Sequence, residues 1–288
     1  MTAAPGPRPV LELGGTHITA ALVDPRRTRV SARVRRRLDC HGSAGDILDA
    51  VLRCAAAVPA PQDAVWGVAV PGPFDYAKGV ARYEGVGKFE SLYGVDVRAT
   101  LLDRLRHTPR DAVFLNDAHA FLLGEAVAGA ARDHRRAVGI TLGTGVGSAF
   151  LADGRIHEEG PGVPPEGRVD LLDFADAPLE DTVSRRAIRT AYGDPDADVR
   201  EIGERARAGE RRAGRVLADA FTALGEVLGP RIREFGATAL VVGGSMTGSW
   251  DLVEPALRSG LGHTPVTVLP SGLGETAALV GAARAAGS

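Results

Sequence analysis

Three short bends of glycine and hydroxyl residues each follow an apolar run. They are Gly14-Gly15-Thr16, Gly143-Thr144-Gly145 and Gly243-Gly244-Ser245. Because glycine has no side chain, backbone N–H groups at such a bend can converge on an anion, and the threonine or serine adds a hydroxyl donor. A single bend of this kind is typical of an ordinary turn. Three in succession favour phosphate binding.

The common nucleotide-binding motifs do not account for these bends. The P-loop pattern Gly-x-x-x-x-Gly-Lys-Ser/Thr is missing from the sequence, and Ser148 stands where a dinucleotide-binding loop needs its last glycine. Ser245 resembles a nucleophile elbow, but Thr247 stands where that motif needs glycine, so acyl transfer is not expected. The sequence therefore predicts a nucleotide site of another type.

Asp117 is the best candidate for acid–base chemistry. It follows a predicted strand and opens a predicted helix. A carboxylate at such a junction can accept the proton of a hydroxyl that attacks a phosphorus atom. The alternative is that Asp117 only caps the helix.

Other carboxylates have two interpretations each. Glu12 lies just before the first bend and could hold Mg²⁺ through water, because Mg²⁺ prefers carboxylate and phosphate oxygens. A strand glutamate can equally be a salt-bridge partner. Glu166 and Glu180 could bind the hydroxyls of a polyol, or could lie on the surface without such a role.

The hydrophobic pattern predicts alternating strands and helices around these residues. Strands are expected over 10–13, 17–23, 26–37, 64–70, 112–115, 137–142, 146–152, 238–242 and 266–269. Helices are expected over 46–58, 97–105, 118–131, 182–192, 198–207, 210–235 and 275–286, with a further helix opening at 243–245. Residues 74–94 have turn residues without a clear period, which predicts a functional loop or an irregular hairpin.

Two segments, 10–23 and 137–152, repeat the arrangement of strand, glycine bend and strand. This repeat predicts two related α/β halves that face one cleft. The length of 288 residues also fits about two domains, at roughly 150 residues each.

Composition excludes several classes of protein. The chain is 44% hydrophobic and 24% charged, as in ordinary folded proteins. Lys+Arg of 34 and Asp+Glu of 36 give a net charge of -2, so a nucleic acid or acidic membrane partner is not expected. Neither a signal peptide nor a membrane span is expected. The two cysteines, Cys40 and Cys54, are too few for a disulfide framework, which favours a cytoplasmic location.

Six segments have an order and spacing that match one known family. They are Glu12-Leu-Gly-Gly-Thr16, Val70-Pro-Gly-Pro73, Asn116-Asp-Ala-His-Ala120 with Leu123-Gly-Glu125, Thr141-Leu-Gly-Thr-Gly-Val-Gly147, Val242-Gly-Gly244 and residues 274–283. This set resembles the ROK family (repressors, open reading frames and sugar kinases) within the actin/hexokinase-like ATPase superfamily. The resemblance extends over nearly the whole chain.

The resemblance implies an α/β fold of the two-lobed actin-like ATPase (ribonuclease H-like) type with a cleft between the lobes. Residues 1–116 would form a small lobe and 117–274 a large lobe, with the closing helix 275–288 packed back on the small one. It also implies ATP and Mg²⁺ as cofactors, held at the glycine bends, and a homodimer. Asp117 would be the general base, and the substrate would lie against Pro71, Gly72, Asn116, Glu166 and Glu180.

Some positions differ from the family pattern. Glu12 stands where an aspartate is usual, and Val169 stands where a histidine would ligate zinc. The cysteine-rich zinc motif is missing as well, so no zinc site is predicted. The segment 83–95 also departs from the usual sequence. We therefore expect an acceptor that is a hexose, a sugar derivative or a cyclitol.

Two functions remain open from the sequence. The first is an ATP-dependent kinase that phosphorylates a hydroxyl of a sugar or sugar-like polyol. The second is a catalytically weak sugar-binding regulator or pseudokinase on the same scaffold, suggested by Glu12 and by the missing histidine. Residues 1–9 are too few for a helix-turn-helix, which also argues against DNA as a partner.

Overall fold

The computed structural model describes residues 6–24, 28–106, 108–194 and 196–287. Its strands are β1 (Arg8–Leu13), β2 (His17–Asp24), β3 (Arg29–Arg37), β4 (Val65–Val70), β5 (Phe74–Asp75), β6 (Val80–Ala81), β7 (Asp111–Asn116), β8 (Arg136–Leu142), β9 (Val146–Ala152), β10 (Arg155–His157), β11 (Asp173–Phe174), β12 (Ala177–Pro178), β13 (Ala239–Gly243) and β14 (Thr267–Pro270). Its helices are α1 (Ala44–Ala55), α2 (Val97–Arg104), α3 (Asp117–Ala128), α4 (Glu180–Val183), α5 (Arg185–Tyr192), α6 (Val199–Arg207), α7 (Arg211–Phe235), α8 (Trp250–Leu261) and α9 (Ala277–Ala285). The first residues of the strand predicted over 26–37 lie outside the described residues.

The chain divides into two compact units. Unit 1 consists of Met1–Ala128 and Glu275–Ser288, and unit 2 consists of Gly129–Gly274. The boundary expected after residue 116 lies one helix earlier than this division, because α3 packs against α9 within unit 1.

The sheet of unit 1 has the strand order β3-β2-β1-β4-β7. The first three strands form an antiparallel meander, and β4 and β7 run parallel to β1. Because parallel strands end at the same edge, the chain leaves β1, β4 and β7 on one side of the sheet. The first glycine bend, Pro71 and Asp117 therefore follow neighbouring strands at a common edge.

Helices cover both faces of this sheet. Helix α1 packs against β2 and β3, and its buried Ile47 and Val51 belong to one apolar cluster with Leu11 and Val68. Neighbouring residues of a strand point to opposite faces. Accordingly, Gly67 lies against α9, where an added methyl group would come within 2.1 Å of the carbonyl oxygen of Ala282.

Helices α3 and α9 approach each other at backbone distance. A methyl group on Gly124 would lie 1.9 Å from the carbonyl oxygen of Ala277, and one on Gly281 would lie 1.8 Å from that of Ala120. Only glycine permits this approach. The contact fixes α3, and with it the start of the helix at Asp117.

Unit 2 repeats the same topology, with the strand order β10-β9-β8-β13-β14. Strands β8, β9 and β10 form an antiparallel meander, and β13 and β14 run parallel to β8. Helices α7 and α8 pack together around buried Leu224 and Leu257. The expected α/β class, with two related halves of the chain, is confirmed by these two sheets.

Several local predictions need correction. The helix predicted over 182–192 is two helices, because Ser184 interrupts the run and caps α5 by accepting a hydrogen bond from the backbone N–H of Ala187 at 3.3 Å. The helix predicted to open at 243–245 begins with a 3₁₀ turn, Ser245–Ser249, which leads into α8. Residues 74–94 contain the short β5-β6 hairpin, in agreement with the expectation of an irregular hairpin in this segment. Strand β10 and the β11-β12 hairpin are too short for their periodicity to be recognised.

Within the described ranges, no helix is both long enough and apolar enough to span a bilayer.

Candidate active site

Asp117 is the first residue of α3, directly after β7. The side chain of its neighbour Asn116 caps the helix, since Asn116 Oδ1 accepts from the backbone N–H groups of Ala118 at 2.9 Å and His119 at 3.3 Å. Asp117 Oδ1 also accepts from the N–H of Ala118, at 2.9 Å. Because Asn116 already supplies the cap, capping alone does not account for a carboxylate at position 117.

Burial raises the pKa of Asp117 above its usual range. The ammonium group of Lys88 and the hydrogen bond from Ala118 act in the opposite direction. The residue as a whole is nevertheless half-buried. A carboxylate with a raised pKa accepts protons more readily, which suits a general base.

The residues predicted to face the substrate in unit 1 lie together. Asn116 Nδ2 donates to the hydroxyl of Tyr76 at 3.1 Å, and a methyl group on Gly72 would lie 3.4 Å from that same oxygen. The hydroxyl of Tyr83 donates to the carbonyl oxygen of Pro71 at 2.9 Å. Sequence reasoning missed both tyrosines. Their one signal was the presence of aromatic residues in the turn-rich segment 74–94.

Lys88 reaches the neighbourhood of Asp117 from a firmly held loop. The next residue, Phe89, is fully buried with a φ of 58°, in the left-handed region. Its N–H donates to the carbonyl oxygen of Cys40 at 2.7 Å, and its ring lies 5.2 Å from that of Tyr83. Few non-glycine residues adopt this backbone conformation without strong support from their surroundings. The anchoring of Phe89 therefore limits where Lys88 can go.

Glu12 lies on β1 of the same sheet, paired in register with Thr19 and Ala69. Its pKa is raised to about 7, mainly by burial and also by the nearby charge of Asp117, against the lowering effect of two arginines. These arginines, Arg33 and Arg35, are themselves bound to Glu275 at 2.8 and 2.9 Å. Glu12 is thus a carboxylate that exchanges protons near neutral pH.

The first glycine bend, Gly14, Gly15 and Thr16, connects β1 to β2. The N–H of Gly14 donates to the carbonyl oxygen of His17 at 2.8 Å. Thr16 is exposed, and its hydroxyl lies 2.9 Å from Nδ1 of His17.

The second and third bends lie beside each other in unit 2. Gly143 donates to the carbonyl oxygen of Gly145 at 3.1 Å, which leaves Thr144 exposed at the tip. Gly244 has a φ of 89°, and a methyl group there would come within 2.2 Å of the carbonyl oxygen of Leu142. Gly244 and Ser245 are exposed, while Gly243 ends β13 and is buried.

Glu166 and Glu180 both influence one arginine of unit 2. Arg168 forms an ion pair with buried Asp170 at 2.5 Å, and the charges of Glu166 and Glu180 add to the raising of its pKa. A methyl group on Gly145 would lie 2.5 Å from Glu180 Oε1, so Glu180 borders the second bend.

Glu166 is held in place by its loop. It is exposed and has a φ of 57°. The hydroxyl of Ser148 fixes the neighbouring backbone by donating to the carbonyl oxygen of Gly167 at 2.6 Å and accepting from the N–H of Val169 at 3.0 Å.

Val169, at the position of the expected zinc-ligating histidine, is completely buried in the core of unit 2. In the part of the chain that the structure describes, no three His, Cys, Asp or Glu side chains are grouped as a metal site.

The predicted site residues therefore fall into two groups. Those of unit 1 lie within the last residues of parallel strands or directly after them, at one sheet edge: Glu12, Gly14, Gly15, Thr16, Pro71, Gly72, Asn116 and Asp117. Those of unit 2 lie in two adjacent bends, in a loop and at the start of α4: Gly143, Thr144, Gly145, Gly243, Gly244, Ser245, Glu166 and Glu180.

Two similar sheets, each with a glycine bend between its first two antiparallel strands, define a class of α/β protein in which the halves of the chain are related. The model of the ROK family matches residues 10–287, and the chain belongs to this family. The glucokinase of Thermotoga maritima is 27% identical over 275 residues, which cover 86% of this chain and 84% of that protein.

Solved structures agree with the assignment. A ROK hexokinase from Thermus thermophilus superposes with a TM-score of 0.74 at 26% identity, covering 97% of both chains. A ROK family glucokinase from Streptomyces griseus, in complex with glucose and AMPPNP, has a TM-score of 0.78 at 22% identity and covers 97% of this chain and 98% of its own. Because the Streptomyces griseus protein is only 22% identical to this chain, its structure supports the fold alone.

Proposed function

We propose that the chain is an ATP-dependent kinase that transfers a phosphoryl group to a hydroxyl of a sugar or sugar-like polyol. The observation that carries this proposal is the position of Asp117, at the start of a helix that Asn116 already caps. Membership of the ROK family supports it. The names of two relatives, a glucokinase and a hexokinase, point to the same reaction.

In this proposal Asp117 takes the proton of the acceptor hydroxyl as its oxygen attacks the terminal phosphorus of ATP. The new P–O bond forms while the bond from that phosphorus to ADP breaks, and the proton remains on Asp117 until solvent removes it. General-base assistance of this kind contributes about 10²–10⁴ in rate. Burial raises the pKa of Asp117, so the carboxylate is prepared to hold the proton.

The glycine bends are proposed to hold the phosphates of ATP through their N–H groups, with the exposed hydroxyls of Thr16, Thr144 and Ser245 as further donors. The Streptomyces griseus structure contains AMPPNP, which makes ATP the first donor to test. Mg²⁺, when bound, would neutralise charge on the phosphates. Glu12 is the carboxylate suited to hold it through water, once that group is ionised.

Pro71, Gly72 and Asn116 are proposed to bind the acceptor, and Glu166 and Glu180 are further candidates for binding its hydroxyls. Amide and carboxylate groups of this kind bind pairs of sugar hydroxyls through directed hydrogen bonds. Glucose is the first candidate, from the names of the relatives. The side chain of Val169 cannot donate or accept a hydrogen bond as that of a histidine would, so sugar derivatives and cyclitols belong in the same test.

The deciding experiment replaces Asp117 by asparagine, which keeps the size of the side chain and removes proton acceptance. We expect kcat to fall by about 100-fold or more with the affinity for AMPPNP unchanged. Coupled ADP release is measured over hexoses, amino sugars, inositols and C7 cyclitols. Full turnover by Asp117→Asn would exclude Asp117 as the base.

Asp111→Asn is the matched control. Asp111 begins the same strand, β7, and pairs with Arg98 at 3.6 Å, on the surface. This variant should retain the kcat of the wild type, since Asp111 lies at the opposite end of the strand from Asp117.

One observation favours a second function, a sugar-binding regulator with weak catalysis. Burial and the charge of Asp117 raise the pKa of Glu12 to about 7, so a large fraction of this carboxyl is protonated at neutral pH, and the protonated form does not attract Mg²⁺. Thermal stabilisation by a sugar, without ADP release for any compound of the panel, would support the regulator over the kinase.

A further inference from the structure

Arg185 connects the second and third glycine bends of unit 2. It is the first residue of α5, and its N–H donates to the carbonyl oxygen of Gly143 at 3.3 Å. Its guanidinium group donates from Nη2 to the hydroxyl of Ser245 at 2.9 Å. A single side chain therefore places a positive charge where two bends with exposed donors meet.

Among the described residues, no carboxylate forms an ion pair with Arg185. Across the described ranges, Arg185 forms no ion pair within 4.0 Å, whereas the neighbouring Arg186 pairs with Asp181 at 2.5 Å. Glu180, which borders the second bend, acts on Arg168. Burying part of a cation without a counter-charge is unfavourable, so such a group is retained most easily where an anion binds.

The guanidinium group also has unused hydrogen-bond donors. Its Nε is enclosed by the protein and has no hydrogen-bond partner among the described residues. A guanidinium group presents five N–H donors in a planar fork that matches the oxygens of a phosphate. One donor is used by Ser245, and this bond orients the fork.

We propose that Arg185 binds the phosphate chain of the donor and that Ser245 positions its guanidinium group. The inference rests on the proposed function and deepens it, because it assigns the recognition of a di- or triphosphate to a side chain as well as to the backbone of the bends. The donor class that follows is a nucleoside di- or triphosphate, or inorganic polyphosphate, but not a nucleoside.

The test compares ligands that differ in their number of phosphates. Calorimetry measures the affinity of the full chain for adenosine, ADP, AMPPNP and tripolyphosphate. Arg185→Met removes the charge and keeps the aliphatic stem. We expect this variant to lower the affinity for AMPPNP and for tripolyphosphate by about 10- to 100-fold and to leave the affinity for adenosine unchanged. Arg185→Lys should recover only part of the loss, since it restores the charge without the fork.

Two further variants separate positioning from folding. Arg186→Met is the matched control on the same helix and should bind every ligand as the wild type does. Ser245→Ala keeps Arg185 and removes its hydrogen bond, so it should weaken AMPPNP by a smaller factor than Arg185→Met. Thermal unfolding of each variant identifies any loss of structure.

The outcomes distinguish this inference from the proposed function. The role of Arg185 is overturned if Arg185→Met binds AMPPNP as tightly as the wild type does. It is also overturned if this variant loses affinity for AMPPNP and for adenosine by the same factor. Both results leave the proposed kinase function intact. A wild-type chain that binds tripolyphosphate through Arg185 but neither binds AMPPNP nor releases ADP contradicts the kinase and retains the anion site.

Discussion

At the scale of single residues, the ionisation of Asp117 depends on one nearby lysine. Burial raises the pKa of Asp117 and Lys88 lowers it. Lys88→Met removes the lowering charge, so the pKa of Asp117 should rise further. Because a general base must be ionised to accept a proton, the acid limb of kcat/KM should move to higher pH, as measured in a pH–rate profile.

The sequence provides a matched control, since its only other lysine is Lys78. Lys78 is exposed and pairs with Asp75 at 3.7 Å. Lys78→Met should leave the acid limb where it is. An unchanged limb in Lys88→Met as well would show that Lys88 does not act on the base.

Glu12 links ionisation to stability. Its pKa is raised to about 7 from 4.5. Between these two pH values the folded state therefore holds a proton that the unfolded chain has released. The contribution of Glu12 to the free energy of unfolding is fully present below pH 4.5 and is lost as the pH rises through 7. The free energy of unfolding of Glu12→Gln should therefore rise by about 3 kcal/mol relative to that of the wild type between pH 4.5 and 7.5.

Urea unfolding at a series of pH values, without Mg²⁺ or nucleotide, measures this difference. Parallel pH dependences for Glu12→Gln and the wild type would mean that Glu12 ionises in the folded chain as easily as in the unfolded one.

At the scale of elements, the contact of α3 with α9 determines where Asp117 stands. A methyl group on Gly124 would overlap the carbonyl oxygen of Ala277 at 1.9 Å. Gly124→Ala should therefore lower the free energy of unfolding by about 2 kcal/mol or more and should also reduce kcat, because α3 begins at Asp117. Chemical denaturation and the coupled assay measure the two effects.

Gly214→Ala is the control for helix propensity. Gly214 lies within α7, and apart from the adjoining backbone of this helix no described atom lies within 4 Å of the position that a methyl group would occupy. This variant should be neutral or more stable by up to about 1 kcal/mol. Equal effects at both glycines would argue against a close helix contact.

Local patterns in the sequence predicted most of the elements but not their contacts. The bends at 14–16 and 143–145 were recognisable because alternating apolar residues flank them. Hydrophobic periodicity predicted one helix over 182–192. It does not detect the break at Ser184, which depends on the hydrogen bond that Ser184 accepts from a residue three positions ahead. The roles of Tyr83 and Arg185 could not be predicted, because their partners, Pro71 and Ser245, are 12 and 60 residues away.

At the scale of the whole molecule, the residues proposed to bind the nucleotide and those proposed to bind the acceptor should respond to different ligands. We expect AMPPNP to slow hydrogen exchange in peptides that contain residues 143–145 and 243–245. The sugar that supports turnover should slow exchange at residues 71–72 and 116. Mass spectrometry of exchanged peptides measures this directly, and protection confined to other segments would contradict the assignment.

The same ligands should stabilise the chain without catalysis. At 100 times its dissociation constant, AMPPNP should add about 2.7 kcal/mol to the free energy of unfolding. Asp117→Asn should show the same gain, because this variant loses proton transfer and keeps phosphate binding. A smaller gain in the free energy of unfolding would indicate that Asp117 also contributes to the binding of the nucleotide.

Unit 1 is assembled from two distant parts of the chain, because α9 packs on the sheet that begins with β1. Residues 277–283, all buried, close the face of that sheet only after unit 2 has been synthesised. On the ribosome, the apolar face that receives α9 therefore stays uncovered while about 150 further residues emerge, at about 5–20 residues per second. We expect this nascent chain to depend on a chaperone for that interval.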